Sequence, residues 1–253
     1  MERNKTIAEQ SFSNCHLEVI MGNVVLIGSQ KDCIGKTIIC IKTGIILSEK
    51  GKRVLLMDLS SGKKKISEYL SVNEDIIYDI KDALDSTCSL EQAAIEINEK
   101  LSLLPCPRIA DKLGNITFEA FSKLTAEAEN SYDIIIADVD KISSGYINFD
   151  LISSIITVNS NDFSCIKELN RDKYISQKFN IDSFYAVINR YDRKNAKKGK
   201  ALSAKDIYKM TEVDMDVVIE ENIRYSNADY SFLYGTEDNS FNKAVKTISE
   251  KLI

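Results

Sequence analysis

The sequence contains no tryptophan, one histidine, two prolines and ten glycines in 253 residues. So little proline and glycine excludes collagen-like and linker-like chains. The lone His16 excludes chemistry that needs a histidine pair, and nothing around it supports a serine-histidine couple. The six cysteines (Cys15, Cys33, Cys40, Cys88, Cys106, Cys165) include no C-x-x-C pair. In a chain of this length they read as reduced thiols rather than as a disulfide frame or a zinc site. No apolar run approaches the ~20 residues that span a bilayer. The polar start MERNKTIAEQSFSNC carries no apolar signal core, so a cytoplasmic location is expected. An excess of positive charge is also missing: the net charge of −5 argues against a surface that coats nucleic acid generally.

What is there is a globular composition, 44% hydrophobic and 28% charged. That is enough apolar content to exclude disorder and to bury roughly 70–75% of the unfolded-chain surface. Short apolar runs alternate with longer stretches of helical period. The expected strands are Val24–Gly28, Arg53–Asp58, Lys100–Pro105, Tyr132–Asp138, Ser154–Asn159, Phe184–Asn189 and Asp216–Glu220. The expected helices are Ile34–Lys50, Glu74–Leu84, Thr117–Asn130, Phe163–Phe179, Ser203–Met210 and Ser240–Leu252. The first helix returns through Lys50-Gly51-Lys52 directly into a strand, which is a βαβ unit and implies parallel strands. Strands apolar throughout belong in a sheet covered on both faces. The fold class that follows is α/β: a doubly wound, mostly parallel sheet with helices on both faces. The expected organisation is an N-terminal extension over 1–21 and one domain over 22–253.

Ligands of doubly wound sheets sit at the carboxyl ends of the strands. The first loop there reads Gly28-Ser-Gln-Lys-Asp-Cys-Ile-Gly-Lys-Thr37 and opens the first helix. Gly35-Lys36-Thr37 in this setting is the end of a phosphate-binding loop: backbone N–H groups at a helix start attract an anion, the lysine supplies charge and the hydroxyl a Mg²⁺ ligand. Asp58 and Asp138 each end an apolar strand on the same rim. A carboxylate there either holds Mg²⁺ or caps the following turn; two of them beside a GKT loop favour the metal.

These pieces make the chain similar to the MinD/ParA family of P-loop ATPases, whose deviant Walker A motif is K-G-G-x-G-K-[ST]. The corresponding stretch is Lys31-Asp32-Cys33-Ile34-Gly35-Lys36-Thr37. Gly51–Gly62 resembles the switch I segment, Leu101–Arg108 the strand ending in L-P, and Tyr132–Asp140 the Walker B strand. Val187–Arg193 resembles the adenine-holding segment, and Ile219–Tyr230 the late I-P-x-D-x-x-x-x-x-A segment. The resemblance covers about Asn23 to Ile253 and is nearest to the MinD branch. It implies ATP and Mg²⁺ as ligands. Phosphate and base would be held by Lys31, Ile34, Gly35, Lys36, Thr37, Ile38, Asn189 and Arg190, with Asn189 reading the adenine edge. The metal would be held by Thr37, Asp58 and Asp138. Lys31, reaching across a nucleotide-sandwich dimer, and Asp58 would serve catalysis. The implied role is a nucleotide-dependent dimerising switch in spatial positioning or partitioning: division, pilus or flagellum placement, or DNA segregation. Its implied partners are a second copy and a regulatory or cargo protein, with peripheral association to membrane or nucleoid.

The departures from the family pattern bear on activity. Gln30, Asp32 and Cys33 stand where the loop has glycines, which let backbone approach phosphate. Asp32 sets a negative charge beside a polyanion, a cost on the order of 3 kcal/mol at about 5 Å and an effective dielectric of about 20. Ser60 replaces the second Asp of the switch I Asp-x-Asp, which orients the attacking water in the family, and Asp138-Val-Asp140-Lys replaces D-x-P-A. Weak or absent hydrolysis follows. Two other readings stay open: a scaffold on the same fold that no longer binds nucleotide, and an enzyme using ATP on a small substrate, as dethiobiotin synthetase-like relatives do. The basic clusters Lys63–Lys65 and Arg193–Lys200 read as solvated loops or as a patch for DNA or anionic lipid. Phe241, Val245, Ile248 and Leu252 form a stripe at helical spacing, read as core-facing rather than as a membrane anchor.

Overall fold

The apolar runs become the strands of one eight-stranded sheet. The computed structural model describes residues 23–29, 31, 33–62, 64–109, 112–222, 230–235 and 239–253. The N-terminal extension, with His16 and Cys15, lies outside the described residues, as do Gln30, Asp32, Lys63 and most of the late segment around 223–229. The strands are β1 (Asn23–Gly28), β2 (Val54–Leu59), β3 (Ile95–Asn98), β4 (Leu101–Leu104), β5 (Ile134–Val139), β6 (Ser154–Asn159), β7 (Ser183–Tyr191) and β8 (Val217–Glu220). Their order is β3-β4-β2-β5-β1-β6-β7-β8. β3 runs antiparallel to β4, and the other pairings among the described residues are parallel. Strand order reverses beside β1, which pairs with β5 on one side and β6 on the other. That reversal opens the crevice in which doubly wound sheets bind ligands.

Side-chain alternation explains why the runs are apolar throughout. Val25, Ile27, Leu56, Ile136 and Val158 face one core, with α1 (Lys36–Glu49) and α10 (Ser240–Glu250) over them. Val24, Leu26, Leu55, Met57, Ile135 and Ala137 face the other, under α3 (Ile80–Leu84), α4 (Leu90–Ala93) and α5 (Phe118–Glu129). A third cluster seats α6 (Cys165–Lys178) and α8 (Ala204–Thr211) against Ala186 and Ile188 of β7. The remaining helices α2 (Ile66–Tyr69), α7 (Arg193–Lys197) and α9 (Tyr230–Tyr234) are short. The expected C-terminal stripe is buried: Phe241, Val245, Ile248 and Leu252 are at most 4% exposed. Among the described residues no helix is long and apolar enough to cross a membrane.

Two features tie α1 into this frame. Gly44 lies so close to the sheet that a Cβ there would come within 2.7 Å of the Leu56 side chain. Lys42 is buried, and its ammonium donates to the carbonyls of Leu233 at 2.6 Å and Gly235 at 2.9 Å, where α9 ends.

The expected helix over Glu74–Leu84 is half right. Asn73–Asp75 is a single 3₁₀ turn and the helix starts only at Ile80. Asp79 stops an earlier start: its side chain accepts from the Lys81 and Asp82 amides, so its own backbone stays extended as an N-cap. β3 was not expected, because half-exposed Ile95-Glu-Ile-Asn98 alternates over four residues only. Of the Lys63–Lys65 cluster, Lys65 is not solvated: it is buried and donates to the Ser60 carbonyl at 2.6 Å. Lys64 sits over the Tyr69 ring.

Candidate functional site

The loop between β1 and α1 is where the sequence patterns converge. Gly35 caps α1 in the left-handed region at φ +86, a conformation that side chains resist, and a Cβ there would lie 2.6 Å from Asn189 Nδ2. Asn189, near the end of β7, donates to the Ile34 carbonyl at 2.6 Å and so buttons the loop to the sheet. Among the described residues no side chain caps the first turn of α1, and no acidic residue stands in that turn. Its leading amides, from Lys36, Thr37 and Ile38, have no intrahelical acceptor and are suited to meet an anion. Ile34 is buried beneath the loop, and Ile38 is half-buried beside Gly35, Asn189 and the exposed Arg190 in one small crevice.

Lys36 and Thr37 both turn toward β5. The Thr37 hydroxyl donates to Asp138 Oδ2 at 2.7 Å. Asp138 is fully buried, and its Oδ1 has no hydrogen-bond partner. Asp58 lies opposite Asp138 across the β2–β5 pair. It too is buried, but it is spoken for: Oδ1 accepts the Ser60 amide at 3.2 Å and Oδ2 the Ile66 amide at 2.9 Å. Burial pushes the Asp138 carboxyl up to about 7, with the Asp58 charge adding to it and Lys36 and Thr37 opposing. Burial likewise raises Asp58 to about 6, against its two amide donors and Lys65. Two neighbouring desolvated carboxylates, one with an orphaned oxygen, form a site short of positive charge. That fits a Mg²⁺ ion whose other ligands are phosphate and water. Among the described residues no group of three or more His, Cys, Asp or Glu is arranged to hold a metal alone.

Asp140, two residues beyond Asp138, completes the rim. Its Oδ1 lies 3.4 Å from Lys36 Nζ and accepts from the Ser60 hydroxyl at 3.0 Å, while Oδ2 accepts the Ser61 amide at 3.0 Å. Burial opposes ionisation of this carboxyl, yet the Ser61 and Ser60 bonds and the Lys36 charge hold it below the usual range. The sequence flagged Asp140 without giving it a place. The usable signal was its spacing, since residues two apart on an extended chain point the same way.

Lys31 bonds to none of the carboxylates of β2 and β5. Its ammonium pairs with Asp162 after β6 and lies 3.4 Å from the Ser160 hydroxyl, with the side chain 44% exposed. Ser160 and Ser164 also bond to Asp162. Burial works against ionised Asp162, but these donors and Lys31 keep it well below the usual carboxylate range. Asp162 was not foreseen, and no motif marks it. Cys33, next in the loop, is exposed with φ +58, and the five described cysteines are free thiols.

Comparison with known proteins bears on the family and the fold. The model for the CobQ/CobB/MinD/ParA nucleotide binding domain matches residues 25–231. The septum site-determining protein MinD of Bacillus subtilis is 26% identical over 216 residues, 82% of this chain and 80% of that protein. Among solved structures, the MinC:MinD cell division protein complex of Aquifex aeolicus superposes with a TM-score of 0.76 at 25% identity, covering 91% of this chain and 95% of the other. MinD from Pyrococcus horikoshii, complexed with Mg-ADP, gives 0.77 at 19% identity over 92% and 96%.

Proposed function

This chain belongs to the MinD/ParA family of P-loop ATPases, and from that premise we propose that it binds Mg-ATP and acts as a slow, dimerising switch that positions or partitions a cellular structure. The observation carrying this reading is the convergence of the uncapped α1 start, Lys36, and the Thr37–Asp138 pair with its orphaned oxygen. In this reading the α1 amides and Lys36 hold the phosphates. Thr37 and Asp138, with Asp58 behind them, hold Mg²⁺, which neutralises phosphate charge when bound. Gly35, Ile38, Asn189 and Arg190 flank the base.

Lys31 pairs with Asp162 rather than with the carboxylates beside Lys36 and Thr37, and its side chain is 44% exposed, which leaves it accessible for a role across a dimer, where it would contact the partner's phosphates. Two copies joined through nucleotide would present a composite face to a regulatory or cargo protein. Division, pilus or flagellum placement and DNA segregation are the processes that suit such a switch. Work in the cytoplasm, at the periphery of membrane or nucleoid, suits it as well.

Calorimetric titration of Mg-ATP and Mg-ADP, with Lys36→Ala as control, tests the reading. Micromolar binding that the substitution abolishes is the expected result. Absence of heat and of any thermal shift up to millimolar nucleotide would sink it. That result would leave the non-binding scaffold, which the pairing of Asp140 with Lys36 favours, since a carboxylate then stands where phosphate would.

A further inference from the structure

Three carboxylates gather at the carboxyl ends of β2 and β5, and they differ in what they can touch. Asp58 and Asp138 are buried, one committed to two backbone amides and the other to Thr37. The Asp140 side chain is 33% exposed and faces the mouth of the loop beside Lys36. We propose that Asp140 is a catalytic residue of ATP hydrolysis, its carboxylate orienting the attacking water in place of any carboxylate at position 60. The proposal rests on the nucleotide-binding reading above.

The local hydrogen bonds carry the argument. Ser60 has no charge to offer a water, and its hydroxyl is spent as a donor to Asp140 Oδ1 at 3.0 Å. The Ser61 amide fixes the other oxygen at 3.0 Å, so the carboxylate is clamped from the loop that follows β2 while its backbone leaves β5. A carboxylate has about four acceptor positions, and these two bonds with Lys36 use three. Phosphate competes for Lys36, and when the ammonium turns to it Asp140 regains an acceptor beside the phosphates. Positions 60 and 140 are thus in hydrogen-bond contact at the rim, so a carboxylate carried at either position would stand at nearly the same place.

The reaction needs little else from the protein than positioning. The water oxygen bonds to the γ-phosphorus as the bond from that phosphorus to the β–γ bridging oxygen breaks, and the electron pair leaves on ADP. One water proton stays on the phosphate as its hydroxyl, and the other is released to solvent.

The test uses the full chain as wild type, Asp140→Asn, and Asp140→Asn combined with Ser60→Asp. Each is followed by ATP turnover, Mg-ATP calorimetry and thermal melting. Asp140→Asn is expected to bind Mg-ATP at least as tightly as wild type and to lose turnover by about 10²-fold. Returning a carboxylate through Ser60→Asp is expected to recover turnover to within about tenfold of wild type, as a shared spot requires. Unchanged turnover in Asp140→Asn overturns the proposal, as does a double variant that melts like wild type and stays inactive. A wild type that binds Mg-ATP and never hydrolyses it overturns this proposal alone. A wild type that gives no binding heat overturns the proposed function as well, so calorimetry separates the two failures.

Discussion

Gly35 is held at φ +86 with no room for a Cβ against Asn189, so two separate penalties meet at one residue. Gly35→Ala is expected to lower unfolding stability by about 1–3 kcal/mol, measured by urea denaturation. Pairing it with Asn189→Ala should recover the steric part and leave the backbone part, because only the first depends on the amide at 2.6 Å. Asp138 carries the opposite kind of strain, a carboxylate in a dry place with one oxygen unpartnered. Asp138→Asn should therefore raise the thermal midpoint of the ligand-free protein while removing any midpoint shift caused by Mg-ATP, a trade of function against stability that scanning calorimetry reads directly. Gly35, Lys36, Thr37, Asp58 and Asp138 were legible in the sequence because each ends or opens a patterned element. The bonds of Asp140 to Ser60 and Ser61 were not legible. They exist because β2 lies beside β5 in the sheet, and nothing local to Asp140 specifies its neighbour strand.

The helices and strands show the same division. Long apolar runs identify β1, β2, β5, β6 and β7, since burial on both faces demands them. Short elements follow caps rather than runs: α3 begins where the Asp79 side chain takes two amides, and β3 is a four-residue strip at the sheet edge. α1 illustrates how one element carries both fold and site. Its N-terminal amides open on the rim, Gly44 lets its middle approach β2, and Lys42 anchors the end of α9. Lys42→Met should cost about 2 kcal/mol, because two carbonyls near the end of α9 lose a charged donor. Hydrogen exchange should then quicken over 230–235 while the β1 amides stay protected, a pattern that distinguishes local release from global weakening.

For the molecule as a whole, the switch reading makes a prediction that no single site tests. Light scattering with Mg-ATP should report a dimer for the wild type. Lys31→Ala should remain a monomer at the same nucleotide occupancy, because in the switch reading that exposed lysine serves the phosphates of a second copy. A dimer indifferent to both nucleotide and the substitution would count against the switch.

The pairing of β1 with β5 and β6 has a further consequence, for the order in which the protein comes off the ribosome. β1 is the first described strand to be made, yet neither of its neighbours exists until residues 134–139 and 154–159 have emerged. At ~5–20 residues per second, Val24–Ile27 waits on the order of ten seconds as an apolar ribbon without a mate. The phosphate loop is thus among the earliest pieces of the chain to be synthesised and among the last to acquire its shape. A nascent chain stalled before Ile134 holds Lys36 and Thr37 but none of the β5 carboxylates they bond to, so nucleotide cannot assist its folding until more than half of the chain has been translated.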